Sequence, residues 1–496
     1  MGMDIERENH YIVLGVPIDA TPDEIRTAYR ELARQLHPDA SQEPETADQF
    51  IQVQAAYEVL SDPKRRREYD DQLPPIFKRP PVKISLEYSR TSILPISEPQ
   101  LVYVLLRIDP QDDIALTVDP PLNLCMVIDC STSMQGTVMD SVKSTAIEVV
   151  RQLREQDIIS VVSFSDRAEV IVPAGHNQDR RQVITNIRML QTSGGTEIFK
   201  GLEAGFMEVK RYRSPRNINH ILLITDGRTY GDEAACEELA IQASNLKIGI
   251  SALGIGSKWN DNFMDRLANR TGGSTMYVNR SVEVARFIKE KVSGLGRCYS
   301  DQVFYNFDKG LGVELRYAFR LQPEVSVLDT QSPLALGSIL RDTSTEILFE
   351  YYLAPIEDLT SASVTLTRGR INMEIPSRAT PHYSIRADLA CSITAETDET
   401  PPPQSIVHAM SRLTLYRIQE RARKEVAEGN VKEATRHLQY VATHLLAQGQ
   451  KELARTVLGE AIHLQQDSSF SEDGEKRIKY GTRALLLPPS VEKRSL

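Results

Sequence analysis

Apolar positions recur with different periods along the chain, and the changes of period divide it. Over residues 1–73 the period is helical. Ile25, Tyr29, Leu32, Ala33 and Leu36 form one apolar stripe. Thr21-Pro22-Asp23-Glu24 predicts the start of that helix, with Thr21 as N-cap, Pro22 in the first turn and Glu24 able to close a capping box. Phe50, Val53, Tyr57 and Leu60 share one face of a second helix. Between the two, HPDASQEPE breaks the pattern with prolines and small polar residues. Pro74-Pro75 and Lys78-Arg79-Pro80-Pro81 predict a stiff linker over 74–81.

The period then changes. VKISLEY and LVYVLLRI are β-branched or aromatic and partly alternate, so strands are predicted within 82–120. Across 121–298, the short apolar runs LNLCMVID, IISVVSF, HILLITD and KIGISALGIG alternate with amphipathic stretches. Such runs suit parallel strands buried on both faces, and the alternation predicts a doubly wound α/β domain. Strand patterns return over 299–392 in QVFYNF, GVELRYAF, TEILFEYYL and SASVTLTR. The simplest architecture is a β-sandwich built from 82–120 and 299–392, with the α/β domain inserted between its strands. A second linker, 393–404, contains Asp398-Glu399-Thr400-Pro401-Pro402-Pro403. Residues 405–496 are predicted to form a helical C-terminal domain, a small bundle or hairpin. Val431, Ala434, Leu438, Val441 and Leu445 share one face there, and Gly429-Asn430 and Gly449 mark breaks.

Composition narrows the classes. A chain of 496 residues, 41% hydrophobic and 25% charged, suits several globular domains. No apolar run approaches the roughly 20 residues that cross a bilayer, and the N-terminus is polar, so a cytoplasmic protein without a membrane span is expected. Five scattered cysteines with no C-x-x-C pair predict neither a disulfide framework nor a zinc site. The net charge of −10 argues against general nucleic-acid affinity. The charge is concentrated in residues 1–73, which hold 8 Lys/Arg and 16 Asp/Glu.

Two motifs carry chemistry. The first is His37-Pro38-Asp39. It follows Ala28-Tyr29-Arg30-x-Leu32-Ala33, and Tyr11-x-x-Leu14-Gly15-Val16 lies upstream. Downstream stand Ala56-Tyr57-Glu58-Val59-Leu60-Ser61-Asp62-Pro63, then Arg65-Arg66-x-x-Tyr69-Asp70. Together these resemble the J-domain of DnaJ-type co-chaperones over about residues 9–71. The resemblance implies an all-α unit whose His37, Pro38 and Asp39 contact an ATP-bound DnaK-type chaperone and trigger hydrolysis. It also implies that Arg26 and Arg30 lie on the docking helix. Pro38 restricts the backbone on both sides of itself, which suits a rigid presented loop. Thr27 and Glu31 stand where family members often carry further basic residues, and Arg34 offsets this in part. Weaker docking, mainly through slower encounter, is therefore expected. No Gly/Phe-rich or cysteine-rich segment follows residue 73, so client choice is expected to come from the rest of the chain.

The second motif, Asp129-x-Ser131-x-Ser133, directly follows the strand LNLCMVID. In a parallel α/β domain that loop lies at the carboxyl end of the sheet, where ligands bind. Oxygen ligands at alternate positions suit a hard cation such as Mg2+. Thr196 in the turn Thr192-Ser193-Gly194-Gly195-Thr196-Glu197, and Asp226 after HILLITD, are placed to share the same rim. This constellation resembles the metal-ion-dependent adhesion site of von Willebrand factor A domains, over roughly 121–298. The resemblance implies Asp129, Ser131, Ser133, Thr196 and Asp226 around Mg2+ (or Mn2+), with a carboxylate from a partner protein completing the coordination.

Other signals are bland. Gly254-Ile255-Gly256 lacks a third glycine at dinucleotide spacing, there is no P-loop or H-E-x-x-H, and the remaining histidines do not cluster at ligand spacing. Lys64-Arg65-Arg66-Arg67 is expected to be the solvated end of the J-domain helix. The expected function is therefore a non-enzymatic co-chaperone adaptor in the cytoplasm of a bacterial cell. It would bind an unknown client protein through the metal site, recruit a DnaK-type ATPase through the J-domain, and bind neither nucleic acid nor membrane. The alternative is an assembly scaffold working with a MoxR-type ATPase, with the J-domain accessory. A metal-dependent hydrolase is the weakest option, because no base stands near the motif.

Overall fold

Helix-forming sequence at the N-terminus and strand-forming sequence after it fold into separate layers. The computed structural model describes residues 9–36, 44–73, 80–111, 119–176, 178–227, 231–356, 362–378, 382–395, 400–471 and 473–485. The N-terminal unit contains α1 (His10–Val13), α2 (Pro22–Gln35), α3 (Pro44–Leu60) and α4 (Pro63–Gln72). Ile25, Val53, Ala56 and Leu60 are buried between α2 and α3, and Tyr29 stacks on Tyr57 with ring centroids 4.0 Å apart. The capping box at Thr21 is formed: the Glu24 amide donates to Thr21 Oγ1, and the Thr21 amide donates to Glu24 Oε2. Residues 64–67 are not simply a solvated helix end. They lie in α4, where Arg66 donates to the Tyr11 hydroxyl (2.9 Å) and to the Ile18 carbonyl (2.9 Å), tying α4 to the start of the unit.

The sandwich strands before the α/β domain are β1 (Val82–Tyr88), β2 (Ser92–Ile93) and β3 (Gln100–Pro110). Those after it are β10 (Cys298–Lys309), β11 (Val313–Gln322), β12 (Ser326–Leu328), β13 (Leu334–Leu340), β14 (Thr345–Leu353), β15 (Ser363–Glu374), β16 (His382–Arg386) and β17 (Leu389–Ile393). One sheet runs β1-β3-β14-β11-β12 and the other β13-β10-β15-β17-β2, with β16 beside β15. Strands from both sides of the inserted domain thus join in each sheet, those before it lying at one edge. The core between the sheets holds Val104, Leu106, Tyr305, Phe349 and Tyr351. The only partial alternation of β3 has a physical reason. Leu105, on its outer face, is covered together with Phe319 and Leu348 by Ile406, Leu413 and Tyr416 of a C-terminal helix.

The inserted domain orders its sheet β6-β5-β4-β7-β8-β9. The strands are β4 (Leu122–Asp129), β5 (Ile158–Phe164), β6 (Ala168–Val172), β7 (Ile218–Thr225), β8 (Gly249–Ile255) and β9 (Thr275–Val278). All pair in parallel except β6, which is antiparallel to β5. The helices are α5 (Thr137–Gln152), α6 (Arg180–Arg188), α7 (Ile198–Arg211), α8 (Glu233–Asn245), α9 (Asp261–Arg270) and α10 (Ser281–Gly296). The unbroken apolar run of β4 reflects burial on both faces. Leu124, Met126 and Ile128 join one core, and Cys125 and Val127 join the other.

The C-terminal domain contains α11 (Gln404–Ala427), α12 (Val431–Ala447), α13 (Lys451–Asp467) and α14 (Gly474–Ala484). Leu438, Leu445, Val457, Leu464 and Ile478 build its core. The helix α14 also docks on α9 of the inserted domain. Lys479 Nζ meets Asp261 (2.6 Å) and Asp265 (2.9 Å), Arg483 meets Asp265 (2.8 Å), and Tyr480 stacks on Tyr277. No helix of the described residues is long and apolar enough to cross a membrane.

Candidate metal centre on the inserted domain

The strand order changes direction at β4: the chain passes from β4 to β5 on one side and later returns to β7 on the other. Loops at the carboxyl ends of two such strands face a shared crevice. Asp129 ends β4 and Asp226 follows β7, so the two carboxylates border this crevice. Asp129 is buried (0% exposed), and its two oxygens have separate partners. The Ser131 amide donates to Oδ1 (2.8 Å) and the Thr225 hydroxyl donates to Oδ2 (2.6 Å). The hydroxyls of Ser131 and Ser133 lie 3.0 Å apart, and Ser133 donates to Asp226 Oδ1 (2.6 Å). A chain of oxygens therefore runs from the β4 loop to the β7 loop.

The third loop is pinned from both sides. The Ser193 amide donates to the Cys130 carbonyl (2.7 Å), the Thr132 amide to the Gly194 carbonyl (3.2 Å), and the Gly195 amide to Asp166 Oδ1 (2.8 Å). Gly194 has φ +79°, a conformation that side chains resist. Thr196 is thereby placed against Gly227, where an added Cβ would sit 2.7 Å from Thr196 Oγ1. Asp129, Ser131, Ser133, Thr196 and Asp226 thus come together from three loops, all through oxygen.

Electrostatics mark the pair of carboxylates. Burial pushes Asp129 up to about 6, with the Asp226 charge adding to it and the hydrogen bonds from Thr225 and Ser131 opposing it. Burial also raises Asp226, while the Ser133 hydrogen bond and the charge of Lys258 oppose this. Among the described residues no Lys, Arg or His nitrogen forms an ion pair with Asp129. A buried carboxylate without a cation beside hydroxyl ligands fits a hard divalent ion. Among the described residues no group of three or more His, Cys, Asp or Glu could hold a metal, so this centre depends on its hydroxyls.

The sequence reading missed two groups. Thr225 orients Asp129, but a threonine closing an apolar strand looks like an ordinary strand residue. His220 has no sequence neighbour that marks it. It lies buried with Nδ1 3.3 Å from Asp301 Oδ2 and Nε2 3.0 Å from Ser251 Oγ. Those contacts have the order of a hydrolytic triad. Ser251 is fully buried and also accepts the Ser274 amide (3.2 Å), so the group joins the inserted domain to β10 and offers no surface to a substrate.

On the N-terminal unit, His37, Pro38 and Asp39 lie outside the described residues. Arg26 and Arg30 stand exposed on α2, and Arg26 pairs with Asp23 at 3.5 Å.

A parallel sheet with a hydroxyl-and-carboxylate crevice at its switch point defines a von Willebrand factor A domain, and residues 123–290 match the family model of the von Willebrand factor type A domain. Residues 9–70 match the DnaJ domain, and residues 404–488 match the Sll0103-like C-terminal alpha-helical domain. The chain thus carries a DnaJ domain and a von Willebrand factor A domain on one polypeptide. It is similar to an uncharacterized protein, sll0103, of Synechocystis, at 27% identity over 382 residues, 75% of this chain and 90% of that protein. Its N-terminus is similar to Chaperone protein DnaJ 2 of Streptomyces avermitilis, at 53% identity over 62 residues. That match spans 12% of this chain and 16% of the chaperone's length. In fold, the chain resembles a von Willebrand factor type A protein from Catenulispora acidiphila. The TM-score is 0.64 and the identity 15%, covering 81% of this chain and 96% of the other. It also resembles the ArnB paralog VWA2 from Sulfolobus acidocaldarius (TM-score 0.51, 16% identity, covering 83% and 100%).

Proposed function

We propose that this chain is a co-chaperone adaptor: its A domain captures a protein partner through a divalent cation, and its J-domain brings a DnaK-type ATPase to that partner. The supporting observation is the buried Asp129, which pairs with no Lys, Arg or His among the described residues and is joined to Asp226 through the Ser131 and Ser133 hydroxyls. Asp129 and Asp226 supply the charge for Mg2+ or Mn2+, and Ser131, Ser133 and Thr196 supply neutral donors. When bound, such an ion offers an acidic position to a carboxylate oxygen of the partner. Thr225 and the Ser131 amide hold Asp129 in one orientation, so the centre is preorganised. We read this as binding chemistry. On the J-domain, the exposed Arg26 and Arg30 suit a helix that meets an acidic chaperone surface, with His37-Pro38-Asp39 as the trigger.

The capture half is tested with the full chain. Mn2+ binding is titrated for the intact protein and for Asp129→Ala, and partner capture is compared with and without chelator. Expected are loss of Mn2+ binding in the variant and loss of the same captured set on substitution and on chelation. A captured set unchanged by both treatments sinks metal-dependent capture.

A further inference from the structure

Beyond the five oxygen-bearing side chains, the rim of the candidate centre carries further charge. In the sheet, β8 lies next to β7, and Thr225 pairs with Gly254. The loop after β8, residues 256–260, therefore lies beside Asp226. Lys258 stands exposed on this loop, close enough for its charge to act on Asp226.

The loop is fixed from the C-terminal domain. Trp259 is buried, and its indole N–H donates to the Gly256 carbonyl (2.9 Å). The Lys476 ammonium of α14 lies 4.9 Å from the Trp259 ring and donates to the carbonyls of Ser257 and Trp259. Between loop and helices opens a cleft of about 590 Å3, lined by Lys258 and Trp259 on one side and by Arg423, Phe470 and Lys476 on the other. Its carboxylates, Asp261 and Glu475, both pair with Arg423, at 3.3 and 2.5 Å, and Lys258 and Lys476 bring two further cations to the lining. The opposite flank of the rim carries Asp166, Arg167 and the Lys200–Glu197 pair, and is charge-balanced.

Resting on the capture reading, we infer that the partner presents an acidic segment: one carboxylate meets the Asp129–Asp226 rim, a second pairs with Lys258, and the segment continues into the cleft between the A domain and the C-terminal helices. Same-face side chains of an extended segment lie about 7 Å apart, so a Glu-x-Glu pattern offers two carboxylates to one face of the rim. The C-terminal helical domain then forms one wall of the binding site.

The test uses the full chain and a fluorescent hexaglutamate peptide, with hexaglutamine as control, at saturating Mn2+. Mn2+ affinity is measured separately by electron paramagnetic resonance. Expected is Mn2+-dependent binding of hexaglutamate but not of hexaglutamine. Lys258→Glu should weaken it at least tenfold, and Lys258→Arg should restore it. Ala427→Trp, which fills the cleft from the exposed end of α11, should also weaken it, with every variant kept Mn2+-saturated at the concentration its own titration sets. Hexaglutamate that fails to bind the Mn2+-loaded chain, or that binds Lys258→Glu and Ala427→Trp as it binds the intact chain, overturns the inference while the metal reading stands. A chain that takes up no Mn2+ overturns the metal reading itself, and the inference with it.

Discussion

At the scale of single residues, the centre is built from side chains whose roles differ in how visible they are. Asp129, Ser131 and Ser133 are legible in sequence because oxygen-bearing side chains on one loop recur at fixed spacing. Thr196 and Asp226 are legible only because each follows a recognisable turn or strand. Thr225 is not, since its hydroxyl donates to Asp129 (2.6 Å) and accepts from the Gly227 amide (3.1 Å), and nothing in its spacing says so. Partners that orient a metal-binding carboxylate typically change affinity by about 10–100-fold when lost. Thr225→Val, which keeps the shape and removes the hydroxyl, is therefore expected to weaken Mn2+ binding by about that factor with the fold intact. Titration of the metal alongside circular dichroism checks this. An unchanged affinity would mean that Asp129 needs no such support. His220 was equally illegible, because its partners Ser251 and Asp301 are distant in sequence and meet only through the pairing of strands.

At the scale of elements, long periodic segments were legible and short ones were not. The helices α2 and α7, and the strands β4, β7 and β14, follow patterns that local sequence imposes. The strands β6, β9, β12 and β16 have five residues or fewer, and pairing rather than alternation makes them strands. The docking of α14 was also invisible, since Lys479 and Arg483 look like surface charges until Asp261 and Asp265 of α9 are brought to them. Lys479 is only 3% exposed in this interface. Breaking one side of a buried pair commonly costs about 3–5 kcal/mol. Lys479→Met is expected to release α14 from the A domain, seen as new protease cleavage between residues 467 and 485. Retained protection would contradict it. The same contacts set a pH response. Despite burial, the cations of Lys479, Arg423 and Arg483 hold Asp261 and Asp265 below the usual carboxylate range. A depressed folded-state value adds stability above the unfolded value, and that stability is lost as pH falls through the folded one. The docking should thus be insensitive to pH from neutrality down to about 4 and weaken only in stronger acid.

At the scale of the whole molecule, an A domain inserted in a sandwich is held at one end of the chain and joined to a J-domain at the other. The insertion was legible because strand patterns flank an α/β pattern. The placement of the J-domain was not. Arg370 of β15 reaches Asp19 (2.5 Å) and Glu24 (3.1 Å), so the capping glutamate of α2 also ties the J-domain to the sandwich. Two acids of the strongly negative N-terminal segment are used in this way. Arg370 is partly buried but both acid side chains face solvent, and pairs open to solvent on one side contribute on the order of 1 kcal/mol and are screened by salt. Arg370→Glu is therefore expected to leave thermal stability nearly unchanged. It should widen the distance between J-domain and sandwich, read by fluorescence transfer, as high salt does for the intact chain. An unchanged distance would show that other contacts hold the two together. The central claim is that this assembly drives a chaperone ATPase. Single-turnover ATP hydrolysis by a DnaK-type protein tests it most directly. The intact chain is expected to accelerate hydrolysis several-fold, and His37→Gln to abolish the acceleration with Mn2+ binding unchanged. An intact chain that gives no acceleration, or a His37→Gln chain that accelerates equally, contradicts the account and favours a scaffold in which the J-domain is accessory.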